Sequence, residues 1–307
     1  VAGGAFHAGV LAALEEATGW DPRSASLVVG TSAGSITGAT LRAGMPAADL
    51  LRRAQDRPLS AQGNRILRRV GPIGQPPRPP APRTPRPTAE LAATLARAAR
   101  RPLAARPWSL LAALLPEGSM STDMIAEGIG ALLASAWPSA PLWVCAVRQA
   151  DGRRVAFGRV APHPSLPEAV AASCAIPGFF RPVVIAGEAH IDGGVHSPTN
   201  ADLLLGEEPF DLVVVSSPMS RVDRRPRLAP DQAMRTWSGA LLDAEVRRLR
   251  RGRVPVLTMQ PDAAVLASMG FNAMDPGRRS AIATHAHRSA LDRFGAAATA
   301  DRVAVLR

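Results

Sequence analysis

Val28-Val29-Gly30-Thr31-Ser32-Ala33-Gly34-Ser35 sets a serine between two glycines, behind a β-branched run and ahead of small residues. This is the G-x-S-x-G spacing of a nucleophile elbow, in which a strand turns sharply into a helix and lifts one hydroxyl clear of the backbone. The glycines have a steric task, because a Cβ at Gly30 or Gly34 would meet the neighbouring backbone of so tight a turn. The flanks agree. Ala25 to Val29 reads as a short buried strand, and Ala33 to Ala43 as a helix with a small-residue face. Ser32 is therefore the candidate nucleophile, set against the plainer reading of a serine in a glycine-rich turn.

Toward the N-terminus, Gly3-Gly4-Ala5-Phe6-His7-Ala8-Gly9-Val10-Leu11 places Phe6, Val10, Leu11 and Leu14 at helical spacing, which predicts a helix from about Gly4 to Glu16. Its glycine-rich start leaves backbone N–H groups able to meet an anion. The plain reading is a helix cap. In a serine hydrolase the same feature on Gly3 and Gly4 is an oxyanion hole, where fixed donors stabilise charge building on a carbonyl oxygen. A parallel α/β architecture calls for a strand ahead of this loop, and that first strand is expected to be missing from the chain.

Toward the C-terminus the pattern alternates. Thr122 to Ser135 reads as a helix, Leu142 to Val147 as a strand, Asp151-Gly152 as a hairpin turn and Arg153 to Phe157 as the return strand. Pro167 to Ala175 is helical, and Ile176 to Val183 is a turn entering a strand. Ile191-Asp192-Gly193-Gly194-Val195 holds an aspartate between an apolar strand and two glycines, either a plain turn or a site of close backbone approach. Phe210 to Ser217 and Val254 to Met259 read as buried parallel strands around a helix from Pro230 to Arg251. Strands alternating with helices predict an open, mostly parallel sheet covered on both faces.

The chain is 307 residues long and 47% apolar, enough for one large core. It has no apolar run of about 18 residues, and no spanning helix is expected. Cys145 and Cys174 stand in apolar settings, favouring reduced thiols and a cytoplasmic setting. The net charge of +11 is concentrated: Arg52 to Arg106 carries 13 arginines against Asp56 and Glu90. This stretch belongs to a segment, about 50–118, that reads as a variable Arg/Pro-rich insertion in a single domain spanning 1–307. Gln75 to Pro87 (QPPRPPAPRTPRP) is polyproline-like, and Thr88 to Arg101 and Trp108 to Leu115 are short amphipathic pieces. The arginines are either merely solvated or part of a lid that meets an anionic membrane beside the Trp-Leu face. The absence of interleaved aromatics argues against nucleic acid.

Three pieces together, GGAFHAGVLAAL, GTSAGS, and IDGGVHSPTN after SCAIPGFFRPV, resemble the patatin-like phospholipases, a family of lipid acyl hydrolases. The resemblance is close over about 1–46 and 165–205, with a looser echo in Met269 to Pro276. It implies a three-layer α/β/α fold and an acyl transfer on lipid or other acyl esters. Carried over, the nucleophile falls on Ser32, the catalytic aspartate on Asp192 and the remaining oxyanion loop on Gly3 and Gly4. The family loop commonly reads G-G-G-x-R/K-G, and Gly3 stands where its basic residue usually is, leaving the oxyanion to backbone N–H groups. An aspartate can act as base if burial raises its pKa and the proton passes to the leaving group. This chemistry requires no cofactor or metal.

Two other readings stand beside it. A Ser-Asp-His triad in α/β-hydrolase order would use Ser32, Asp192 and His285 or His287, although these histidines sit inside a periodic helical stretch. A catalytically weak scaffold would keep the fold and work through the Arg/Pro-rich insertion.

Overall fold

A computed structural model describes residues 1–70, 118–133, 136–160, 163–207, 209–223 and 231–306. The expected polyproline stretch and the pieces at Thr88–Arg101 and Trp108–Leu115 lie outside these. The chain is mixed α/β, as the sequence predicts, and divides into two compact units.

The first unit comprises residues 1–26, 40–67 and 199–307. Its centre is α1, Ala2–Thr18, closed by Gly19 in the left-handed conformation. Phe6, Val10, Ala13 and Leu14 are almost fully buried, and pack with Ile282, Ala283, Ala286 and Phe294 of α9, Arg279–Gly295. The two helices cross closely because of Gly9, where a Cβ would stand 2.6 Å from the Ala283 carbonyl oxygen. Between α1 and α9 in sequence lie α3 (Ala47–Ala54), α4 (Ala61–Val70), β6 (Val213–Ser216), α7 (Gln232–Arg251), β7 (Val256–Met259) and α8 (Ala263–Met269). A short α10, Ala297–Ala304, follows α9. β6 and β7 pair in parallel, Val213 opposite Val256 and Ser216 opposite Met259. α3 and α4 are helices that the sequence reading did not foresee. Their arginines, Arg52, Arg53, Arg65, Arg68 and Arg69, mask an apolar stripe, and Leu50, Leu51 and Ala54 of α3 pack into the α1–α9 core.

The second unit comprises residues 27–39 and 68–198. It contains a five-stranded sheet of β1 (Val28–Thr31), β2 (Leu142–Arg148), β3 (Arg154–Phe157), β4 (Val183–Ile185) and β5 (Glu188–Asp192). β2 is the hub, and its six residues from Leu142 to Val147 are all buried. β3 lies antiparallel along one edge, with Val144 opposite Phe157 and Val147 opposite Arg154. The other edge is shared. β1 runs parallel along its first half, from Val28 opposite Leu142 to Thr31 opposite Cys145. β5 runs antiparallel along its second half, from His190 opposite Arg148 to Asp192 opposite Ala146. β1 and β5 therefore point at one another, their C-terminal ends meeting at the Cys145–Ala146 level. β4 pairs with β5 through a two-residue turn, Ala186-Gly187, with φ of 50° and 79°. Positive φ at both central residues gives the turn a twist that matches a tight hairpin. The remaining described helices of this unit are the first seven residues of α2, Ala33–Arg42, which leaves the elbow, together with α5, Asp123–Leu133, and α6, Leu166–Ser173. α6 opens with a capping box between Ser165 and Glu168.

Candidate active site

The β-branched run ending at Thr31 makes β1 a strand, and the chain then has to reverse into α2 within one residue. Ser32 is that residue. Its φ is 51°, in the left-handed region where a side chain costs on the order of 1–3 kcal/mol. Gly30 permits the turn, because a Cβ there would stand 2.5 Å from the Ser35 Cα. The elbow is fastened on both sides of its peptide. The Ser32 N–H donates to Ser173 Oγ at 2.9 Å, and the Ser35 hydroxyl donates to the Ser32 carbonyl at 2.7 Å. Ser35 and Ser173 are fully buried, so each bond is sheltered from competing water.

Asp192 arrives from the opposite direction as the last residue of β5, its N–H donating to the Ala175 carbonyl at 3.0 Å. Its carboxylate accepts the Gly194 N–H at 2.7 Å, and the neighbouring Ser32 side chain acts to favour its charged form. The first glycine after it is a packing requirement: a Cβ on Gly193 would stand 2.4 Å from the Cys145 carbonyl oxygen. Asp192 is 6% exposed, and this burial raises its pKa to about 6, against the Ser32 side chain and the Gly194 N–H, which pull it down. It is a carboxylate near neutrality that binds a proton more readily than an exposed aspartate does.

Cys174 completes the surroundings. Its thiol lies 3.9 Å from Ser35 Oγ, with the Ser32 side chain near enough to influence it. Burial pushes it up to about 12, and the Asp192 carboxylate adds to the shift, so it remains a thiol. Ser35, Ser173 and Cys174 are neighbours of the site that the sequence reading did not single out. The signal for the latter two was present in the SCAIPG segment quoted for the family resemblance.

Gly3 and Gly4 lie in the first turn of α1, in the other unit. The N–H of Ala2 donates to the Ala273 carbonyl at 2.9 Å and that of Ala5 to the Val1 carbonyl at 3.1 Å. The N–H groups of Gly3 and Gly4 have no backbone acceptor among the described residues. Gly4 has open space where a Cβ would be. One turn further on, His7 Nδ1 meets Ser216 Oγ at 2.8 Å, joining α1 to the C-terminal end of β6. Burial lowers the His7 pKa to about 4, so the ring is neutral.

His285 and His287 both lie within α9. His287 Nε2 is 3.0 Å from Glu16 Oε2. No group of three or more His, Cys, Asp or Glu suited to a metal ion occurs among the described residues.

A hydroxyl raised on a strained strand-to-helix elbow is the nucleophile geometry found in serine ester hydrolases. The model of the patatin-like phospholipase family matches residues 1–205, two thirds of the sequence, and the chain belongs to that family. The family is one of lipid acyl hydrolases. No curated protein matches the chain. No described helix is long and apolar enough to cross a membrane.

Proposed function

We propose that this chain cleaves carboxylic esters of lipids through a Ser32–Asp192 dyad, with the Gly3 and Gly4 N–H groups as oxyanion donors. The observation that carries this reading is that β1 and β5 end at neighbouring positions on β2, Ser32 following the one and Asp192 closing the other with a buried carboxyl whose pKa is raised to about 6. A serine hydroxyl needs a base within hydrogen-bond reach, and a base near neutrality can both take and return a proton.

In the first half-reaction Ser32 Oγ attacks the ester carbonyl while Asp192 takes its proton. Negative charge on the tetrahedral oxygen is met by the two glycine N–H groups and the positive end of α1. Asp192 then protonates the departing alcohol, leaving an acyl-serine. In the second half-reaction Asp192 takes a proton from water, the hydroxide attacks the acyl carbonyl, and the proton returns to Ser32 as the fatty acid leaves. Proton and charge balance without a further group.

Support for the dyad over a Ser-Asp-His triad comes from the aspartate itself, whose pKa is set by burial, the Ser32 side chain and the Gly194 N–H and by no histidine. The intact pair also weighs against a scaffold role. We place 1–307 in one hydrolase domain with 50–118 as a variable insertion, whose arginines suit peripheral contact with an anionic membrane. Buried Cys145 and Cys174, neither of them in a disulfide, suit the cytoplasm.

The test is labelling with a fluorophosphonate probe together with turnover of a short acyl ester. Wild type should label and turn over, Ser32→Ala should do neither at an unchanged thermal midpoint, and His285→Ala and His287→Ala should do both. Turnover retained by Ser32→Ala would remove the nucleophile assignment.

A further inference from the structure

The loop between α8 and α9 carries an apolar side chain that no described residue covers. Phe271 is 76% exposed. An exposed ring on a loose loop would fold back on its neighbours, but this loop is fixed. Gly270 adopts φ +60°, and a Cβ there would meet the Arg278 guanidinium at 2.8 Å. Asn272 Oδ1 accepts the Met274 N–H at 3.0 Å, and the Asn272 carbonyl accepts the Asp275 N–H at 3.1 Å. Asp275 Oδ1 in turn accepts the Gly277 N–H at 2.9 Å.

The loop is also tied to the candidate site. Its Ala273 carbonyl takes the Ala2 N–H, immediately ahead of the unpartnered N–H groups of Gly3 and Gly4. Two residues of chain reach at most about 7 Å, so the Phe271 backbone stays that near the Ala273 backbone at the start of α1. The loop's acid and base, Asp275 and Arg278, pair with each other at 3.2 Å and leave no uncompensated charge. A second exposed apolar pair, Met219 (36%) and Val222 (46%), follows β6, whose last residue Ser216 holds His7 of α1. Val222 is fastened by its N–H to the Pro261 carbonyl at 3.0 Å.

We propose that Phe271 seats the first turn of α1 against a neutral lipid surface. This rests on the reading of Gly3 and Gly4 as the donors that face an acyl ester. A protein partner of either charge would be met by charged groups, whereas a charge-compensated tip bearing an aromatic ring suits the boundary of an acyl layer. The ring enters the lipid while the hydrogen-bonded loop holds its depth, so partition and lipid hydrolysis depend on it and cleavage of a dissolved ester does not.

The experiment measures co-sedimentation of the full chain with phosphatidylcholine vesicles in about 0.5 M salt, where attraction from the arginine-rich segment is screened within a few ångströms. The Ser32→Ala background removes turnover from the readout. Phe271→Asp should lower the partition coefficient at least tenfold, and Phe271→Trp should retain it. In the Ser32 background, Phe271→Asp should lower the rate on vesicles by a similar factor at an unchanged rate on a dissolved short ester. Equal partition of Phe271→Asp and its parent, or no partition of the parent, overturns the proposal. Absence of ester turnover with Phe271-dependent partition would instead remove the hydrolase reading, so the two failures are distinguishable.

Discussion

Thr31 and Asp192 occupy consecutive partner positions along one edge of β2, opposite Cys145 and Ala146. Two strands that run toward each other on one edge must both leave it where they meet. β1 leaves by the elbow at Ser32, and β5 leaves by the short turn that begins at Gly193. The hydroxyl and the carboxylate come together because their strands share a single line of hydrogen-bonding positions.

Asp192→Asn should lower kcat by a factor of about 10²–10⁴. In wild type, kcat should rise with pH through an apparent pKa near 6, the value burial gives this carboxyl. Stability should move the other way. The folded pKa lies above the ordinary value of 3.8, so between those values the native state binds more protons than the unfolded state. Stability therefore falls as pH rises through that window, by about 3 kcal/mol at pH 7. Asp192→Asn removes that cost and should raise the thermal midpoint at pH 7, with the advantage gone near pH 4. Thermal melts of both proteins at these two pH values check it.

Gly193→Ala should cost activity more than it costs folding. The new methyl would stand 2.4 Å from the Cys145 carbonyl oxygen, so the chain after Asp192 has to lift off β2. Such overpacking costs about 1–3 kcal/mol, and the displaced carboxylate should lower kcat at least tenfold. Gly206→Ala serves as control, because open space surrounds that Cβ and only the φ of +80° resists it. Equal kcat in wild type and Gly193→Ala would contradict the packing role.

Ser173→Ala leaves the Ser32 N–H without its buried acceptor. Leaving such a donor unpaired costs about 1–3 kcal/mol, paid where the elbow is already strained. Urea unfolding should report that loss. Turnover of a short ester should show a reduced kcat at nearly constant KM, since the substrate does not touch this hydroxyl in the mechanism above.

His7 should make the protein acid-sensitive. Its folded pKa of about 4 lies below the ordinary 6.5, so between those values the unfolded state binds the extra proton. Stability from this residue is intact at pH 7 and falls as pH drops, by up to about 3 kcal/mol at pH 4. His7→Gln does not titrate. The stability difference between wild type and variant, from urea melts at pH 7 and 4.5, should shift in the variant's favour at the lower pH, and a constant difference would refute the assignment.

Local signals made Ser32 and most elements legible in the sequence. β1 was expected over Ala25–Val29 and runs Val28–Thr31, while α1, expected from Gly4, begins at Ala2. The turn at Asp151-Gly152 does join two antiparallel strands. The antiparallel approach of β5 to β2 was not legible, because strand direction is set by pairing across long separations and leaves no trace in a five-residue pattern. Ser173 was equally hidden: a buried serine at the end of a helix looks the same whether or not an elbow N–H lies over it. α3 and α4 were missed because a narrow apolar stripe among arginines resembles a solvated run.

The hairpin that delivers Asp192 reverses within Ala186-Gly187. Strand faces alternate residue by residue, so a chain that closes this turn one position out of step presents the opposite face throughout β5. The sheet could still form around β1, β2 and β3, giving a compact molecule in which Ser32 lacks the base proposed for it. Fidelity of one small reversal thus decides whether a folded molecule is a working one, and active-site titration against total protein would count the molecules that closed it correctly.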